Sequence, residues 1–232
     1  MKTYDNIAEF YDAFTEAFDY GDYLEKCFSA LKTKPKGSLA LDCGCGTGNL
    51  LSLLAKNFDC TGLDESEEML GAAAAKPELK SVNFVCQSLE DIDLYGAYDY
   101  VFCSLDTLNH LTDKRSLSAF LSKIENFVEP GGVFIFDIKT LGYMKNRAKT
   151  EIYEEGGATL IWEGFWQKPY ISHRLTFFSP EKDLYRKEET VIEERFYSSD
   201  EIKTLMKKRS SLVFEKTFTY KNERTVFIYR KK

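Results

Sequence analysis

The chain has 232 residues, 44% of them hydrophobic and 15% aromatic, and a formal net charge of −6. This composition excludes a disordered chain and allows a substantial core in one domain, with room for an inserted lobe. No apolar run approaches the roughly 20 residues of a membrane span, and the polar start Met1-Lys-Thr-Tyr-Asp-Asn lacks the apolar stretch of a signal peptide, so a cytoplasmic protein without membrane contact is expected.

The elements follow in chain order. Residues 4–33 show apolar positions at helical spacing, divided at Gly21. A turn, Lys34-Pro-Lys-Gly-Ser38, precedes an alternation of strands and helices. Strand Ser38–Asp42 leads to helix Gly48–Lys56, and strand Asp59–Asp64 to helix Ser66–Ala75. Strands Val82–Cys86 and Tyr98–Ser104 follow, then helix Lys114–Val128, a break at Pro130-Gly-Gly132 and strand Val133–Ile138. This alternation predicts a parallel sheet with helices on both faces. Right-handed crossovers put the strand carboxyl ends Asp42, Asp64, Cys86, Ser104 and Asp137 on one edge.

After about residue 150 the pattern changes to strands rich in aromatic and β-branched residues: Thr159–Trp166, Ser172–Ser179 and Tyr185–Tyr197, with a hairpin turn at Ser179-Pro-Glu-Lys-Asp183. These three are expected to form an inserted antiparallel sheet. A helix starts at Ser198-Ser-Asp-Glu201, and strands Val213–Tyr220 and Thr225–Arg230 should complete the main sheet as a hairpin.

The six cysteines, at 27, 43, 45, 60, 86 and 103, read as reduced, mostly buried small residues. With no CxxC spacing and two histidines, a metal site is not expected. Residues 201–232 hold ten basic and three acidic side chains, a local +7 against −13 for the remainder. Such a segment can touch an anionic partner or be the solvated face of a helix and hairpin.

Chemistry concentrates in Leu39-Ala-Leu-Asp-Cys-Gly-Cys-Gly-Thr-Gly-Asn-Leu50. An apolar strand ends in Asp42, glycines follow at 44, 46 and 48, and a helix begins. Glycines permit positive φ and a close approach to the backbone, so the segment forms a ligand cradle at a strand end. The third glycine of the dinucleotide fingerprint G-x-G-x-x-G is replaced by Asn49. A pyrophosphate favours an open helix N-terminus with no carboxylate beside it. Asp42 instead suits a ligand with a cationic group. Asp64, after the second strand, is placed to accept from ribose hydroxyls.

Leu41-Asp-Cys-Gly-Cys-Gly-Thr-Gly48 resembles the first motif of class I S-adenosylmethionine-dependent methyltransferases. Gly62-Leu-Asp-Glu-Ser-Glu-Glu-Met-Leu70, Phe84-Val-Cys-Gln-Ser-Leu-Glu-Asp-Ile92, Tyr98–Leu111 and Glu129-Pro-Gly-Gly-Val-Phe-Ile-Phe-Asp137 are similar to the motifs that follow it, in the same order. Tyr11-Asp12, His173–Phe178 and Leu184-Tyr-Arg186 resemble small bacterial members in which an antiparallel sheet inserted after the fifth strand covers the pocket.

The resemblance implies an α/β fold: a Rossmann-like, seven-stranded doubly wound sheet with an inserted antiparallel β-sheet lid. The catalytic domain would comprise residues 1–140 and 198–232, and the lid residues 141–197. It implies S-adenosyl-L-methionine as cofactor. Asp42 would serve the cofactor's amino acid end, and Gly44, Cys45 and Gly46 would pass its methionine part. Asp64 would bind the ribose, with Glu65 and Met69 near the adenosine and Ser88 and Leu89 at adenine. Ser88 stands where the family commonly has an acid; its hydroxyl can accept from the adenine amino group, and Gln87 or Glu90 can compensate. Cys103 and Ser104 would flank the sulfonium, and Tyr4, Tyr11 and Tyr20 would close over the cofactor.

Plain structural readings stand beside these. Asp64 can cap the following helix, Tyr4 and Tyr20 can be packing residues, and Trp162, Phe165 and Trp166 can be the packed face of a sheet. His110 is the candidate catalytic residue, a substrate contact or general base; His173 reads as a component of the inserted sheet. The expected acceptor is a small molecule. RNA or protein as acceptor, and a non-catalytic binding module, stay open.

Overall fold

The computed structural model describes Asp12 and residues 18–232. Helix α1 (Tyr20–Ala30) precedes β1 (Leu39–Cys43), α2 (Asn49–Leu54), β2 (Asp59–Asp64), α3 (Glu67–Ala75), β3 (Asn83–Cys86), β4 (Tyr98–Cys103), α4 (Lys114–Ile124) and β5 (Val128–Lys139). Then come α5 (Leu141–Asn146) and four long strands, β6 (Thr150–Glu155), β7 (Ala158–Gln167), β8 (Tyr170–Glu181) and β9 (Leu184–Arg195). Helix α6 (Ser199–Met206), β10 (Leu212–Tyr220) and β11 (Arg224–Lys231) complete the chain.

Seven strands form one sheet in the order β10-β11-β5-β4-β1-β2-β3. β1 to β5 pair in parallel, and β11 runs antiparallel to both β5 and β10. Burial on both faces suits such a sheet. Leu41, Val101, Phe134, Phe136 and Phe227 pack on one face against Leu117, Phe120 and Leu121 of α4 and Ile202 and Met206 of α6. Ala40, Phe102, Ile135 and Ile228 pack on the other against Tyr23 and Cys27 of α1 and Leu50, Leu51 and Leu54 of α2.

The inserted sheet is antiparallel in the order β6-β7-β8-β9 and has four strands, one more than the sequence suggests. The extra strand, Thr-Glu-Ile-Tyr-Glu-Glu, is acidic and lies at the edge, where charge is how an unpaired strand is kept from aggregating. The hairpin turn is tighter than expected, confined to Lys182-Asp183 at the end of the 179–183 stretch, with Lys182 at φ 56°. α5 is also additional; Thr140 caps it by accepting from Tyr143 N at 3.2 Å. Pro130-Gly-Gly132 proves to be an irregularity inside β5, where the register slips between the Tyr98–Val128 and Tyr100–Val133 pairs. A Cβ at Gly132 would stand 2.8 Å from the Glu129 carbonyl oxygen, so the chain needs glycine to pass there. Five cysteines are buried, whereas Cys86 is exposed at the end of the outer strand β3.

Candidate active site

The β1–α2 connection shows why its glycines sit where they do. Gly44, Gly46 and Gly48 have φ of 73°, 53° and 82°, in the left-handed region that side chains disfavour. At Gly44 a Cβ would also meet Thr107 Cγ2 at 2.4 Å. The turn is tied to β2: Gly44 and Cys45 donate their N–H groups to the Leu63 carbonyl at 2.7 and 2.9 Å. Asp64 accepts from Gly46 N at 2.8 Å and from Ser66 N at 3.0 Å, while Ser66 caps α3 by accepting from Met69 N. Asp64 therefore organises the cradle, and the helix cap falls to Ser66.

Beyond this turn a cavity of about 400 Å³ opens at the strand carboxyl ends. Its walls are Gly44 and Gly46 from the turn, Leu63, Asp64, Glu65 and Met69 from β2 and α3, and Gln87 to Glu90 after β3. Leu105, Thr107, His110 and Leu111, after β4, complete it. Among the described residues the lining carries three carboxylates and no lysine or arginine. Ser88 Oγ donates to Asp91 Oδ2 at 3.2 Å, and Gln87 Oε1 accepts from Asp93 N at 3.1 Å, which fixes the segment after β3.

Asp42 lies beneath the glycine turn, 2% exposed, and its Oδ2 lacks a hydrogen-bond partner. Burial, and then the charge of Asp64, push its carboxyl up to about 8. A buried carboxylate oxygen without a partner is costly, and a cationic ligand group would relieve it. Burial also raises Asp64, against the N–H groups it accepts.

Several sequence candidates lie off the cavity wall. Cys45 and Cys103 are 8% and 0% exposed, with their side chains in the core. Ser104 Oγ lies 3.0 Å from the Tyr23 hydroxyl, which donates to Asp137 Oδ2 at 2.7 Å. Tyr20 accepts from Asn49 Nδ2 at 3.3 Å, and Tyr4 and Tyr11 fall outside the described residues. Asn49 has its own role: it bonds Asp12, at 2.9 Å, and Lys76, and Asp12 pairs with Lys76 at 2.8 Å. These contacts fasten Asp12 to the start of α2. His173 is 1% exposed and accepts from Trp162 Nε1 at 2.8 Å through Nδ1; burial pushes it down to about 4.

Leu105 and Asp106, at φ 59° and 78°, are left-handed without being glycine. Asp137, fully buried, accepts from Leu105 N at 2.9 Å. Arg224 Nη1 stands 2.8 Å from Asp106 Oδ1 and 3.3 Å from Asp137 Oδ1. Lys139 Nζ lies 2.9 Å from Asp106 Oδ2 and 2.7 Å from Glu194 Oε2 on the inserted sheet. Burial opposes the charge on Asp106, but Arg224 and Lys139 outweigh it and hold the carboxyl well below its ordinary value. None of these links joins near neighbours in sequence, and the cluster is not readable there.

Residues 40–132 match a family described as a methyltransferase domain. Along 95% of its length the chain is 28% identical to a Geobacillus sp. (strain WCH70) protein that bears a provisional methyltransferase name, covering 94% of that relative. A crystal structure of an S-adenosylmethionine-dependent methyltransferase from Clostridium acetobutylicum ATCC 824 superposes with a TM-score of 0.81 at 24% identity, covering 99% of each chain. Residues 40–132 are a methyltransferase domain, and the chain has the fold of S-adenosylmethionine-dependent methyltransferases.

A methyltransferase cofactor is consistent with the groups present: an orphaned buried carboxylate beneath a turn whose three glycines have positive φ, and a second carboxylate at the end of β2. The methyltransferase fold also recurs in an S-adenosylmethionine-bound amino pentose methyltransferase from Micromonospora echinaspora, which matches with a TM-score of 0.77 at 18% identity over 96% of each chain.

Proposed function

We propose that the enzyme methylates a small, neutral or cationic acceptor held between His110 and the inserted sheet. The observation that carries this reading is the charge of the cavity: Asp64, Glu65 and Glu90 line it, and among the described residues no lysine or arginine does. A phosphate-rich acceptor needs lysine and arginine contacts. All four of Arg209, Arg224, Arg230 and Lys231 in the basic C-terminal segment are engaged within the protein: Arg224 is buried in ion pairs, Arg230 pairs with Glu215, and Arg209 and Lys231 bond Ser118 and the Glu125 carbonyl. Enclosure supports it too. Met69, a wall residue, packs in one cluster with Leu160, Leu175, Phe177 and Ile192 of the inserted sheet. The amino pentose methyltransferase shares the fold over 96% of each chain.

In this reading Asp42 meets the amino acid end of the cofactor, Asp64 the ribose, and the Ser88–Leu89 backbone the adenine. When bound, the cofactor supplies an electrophilic methyl group on a sulfonium. That group would accept the acceptor's lone pair as its carbon–sulfur bond breaks, and its thioether leaving group would need no proton from the protein. The residues hold acceptor and methyl in line and exclude water. His110 lies within electrostatic reach of Asp64 and Asp106 and takes up the proton that the acceptor loses.

The test is S-adenosylhomocysteine production with panels of small amines, amino sugars and phenols, set against total RNA. Turnover on a small-molecule class that falls at least tenfold in His110→Gln is the expected result. Turnover on RNA alone would overturn the reading.

A further inference from the structure

His110 sits in a segment that the inserted sheet grips at several points. Arg195, the last residue of β9, accepts from Asn109 Nδ2 through its carbonyl at 2.8 Å and donates from Nη1 to the Thr112 carbonyl at 3.2 Å. Tyr197, just beyond β9, donates its hydroxyl to the Leu111 carbonyl. Glu194 holds Lys139, and Lys139 holds Asp106. Asn109, fully buried, joins two strands: its Oδ1 accepts from Lys139 N at 3.0 Å while its Nδ2 reaches β9. Contacts from the end of β9 and from Tyr197 after it therefore fall on residues 109, 111 and 112, and Glu194 reaches Asp106 through Lys139 of β5, so both sides of His110 are held.

The backbone shows why such a grip is needed. Leu105 and Asp106 both occupy the left-handed region, which costs a non-glycine residue energy and persists only where surroundings over-determine it. Here Asp137 fixes the N–H groups of the pair, and Arg224 and Lys139 fix the Asp106 carboxylate from two sides. Arg224 comes from β11 and belongs to the main sheet. Glu194 is the partner of Lys139 that comes from the inserted sheet, and its side chain is 5% exposed.

We propose that Glu194 and Asn109 are positioning residues for His110: the end of β9 sets the turn that carries His110, so docking of the inserted sheet and placement of His110 are one event. An acceptor that seats the sheet would thereby align the residue that takes its proton. The inference rests on the methyl-transfer reading only for what this placement serves.

The test is Glu194→Gln in the full-length protein, which keeps the shape and removes the charge, beside Asn109→Ala, which cuts the link from the other side. Amide hydrogen exchange of residues 106–112 should accelerate at least tenfold. The imidazole NMR signals of His110, assignable through His110→Gln in a chain with two histidines, should move or broaden. Glu163→Gln, which breaks an exposed pair with Arg174 elsewhere on the inserted sheet, should change neither. If residues 106–112 and the His110 signals are unchanged while residues 150–195 loosen, the pair is only a staple for the sheet and the proposal fails. Should Asn109→Ala not fold, Glu194→Gln alone decides. Failure of the wild type to bind S-adenosylhomocysteine would sink the functional reading without touching the exchange result.

Discussion

Asp42 and Asp64 show how two carboxylates at neighbouring strand ends acquire different work. Asp64 is satisfied by backbone N–H groups, and Asp42 has an oxygen without a partner. With its carboxyl raised to about 8 in the free protein, Asp42 contributes stability that is complete below its ordinary value near 4 and is lost as pH rises through about 8. A cationic ammonium favours the ionised form. Binding at pH 7 should therefore release close to one proton, with affinity rising from pH 6 to 8 and levelling above. Calorimetry in two buffers of different ionisation enthalpy measures this; proton uptake, or affinity that falls with pH, would contradict the assignment. Asp64→Ala should weaken cofactor binding about 100-fold, from two charged hydrogen bonds at about 1.5 kcal/mol each. The glycine turn was legible in sequence because its geometry is local. Thr107, Leu105 and Leu111 were not, since Asp137, about 30 residues away, shapes the turn that brings them to the cavity.

At the scale of elements, the parallel strands and their helices follow from apolar periodicity and caps. Helix α6 carries a complete capping box, Ser198 accepting from Glu201 N and Glu201 accepting from Ser198 N at 2.9 Å. Ser198→Ala should cost about 1 kcal/mol and lower Tm by roughly 2–4 °C without changing cofactor affinity. Gly44→Ala should do more harm: it adds about 1–2 kcal/mol of left-handed strain and displaces Thr107 from the cavity wall, so both Tm and cofactor affinity should fall. Thermal melts with calorimetry separate the two variants. β6 and α5 escaped sequence reading because neither carries a clear period: one is an acidic edge strand, the other six residues long. The start of β5 was misplaced because proline and two glycines, read as a break, make an irregularity within the strand.

At the scale of the whole molecule the inserted sheet docks on the main one at two places, with Met69 touching it at one and the Lys139–Glu194 pair at the other. The architecture was readable from the alternation of strands and helices and the later change of pattern. The coupling between the sheets was not, because its charges come from four distant stretches of chain. Because the cofactor binds the folded state, a concentration 100-fold above its dissociation constant should add about 2.7 kcal/mol of stability, visible as a rise in Tm. The most direct test of the central claim is calorimetric titration of the clean apoprotein with S-adenosylmethionine, side by side with Asp64→Ala. Saturable binding of one cofactor per chain, weakened about 100-fold in the variant by two charged hydrogen bonds, is the predicted result. No detectable binding to the wild-type chain, or equal affinity in both proteins, would contradict it.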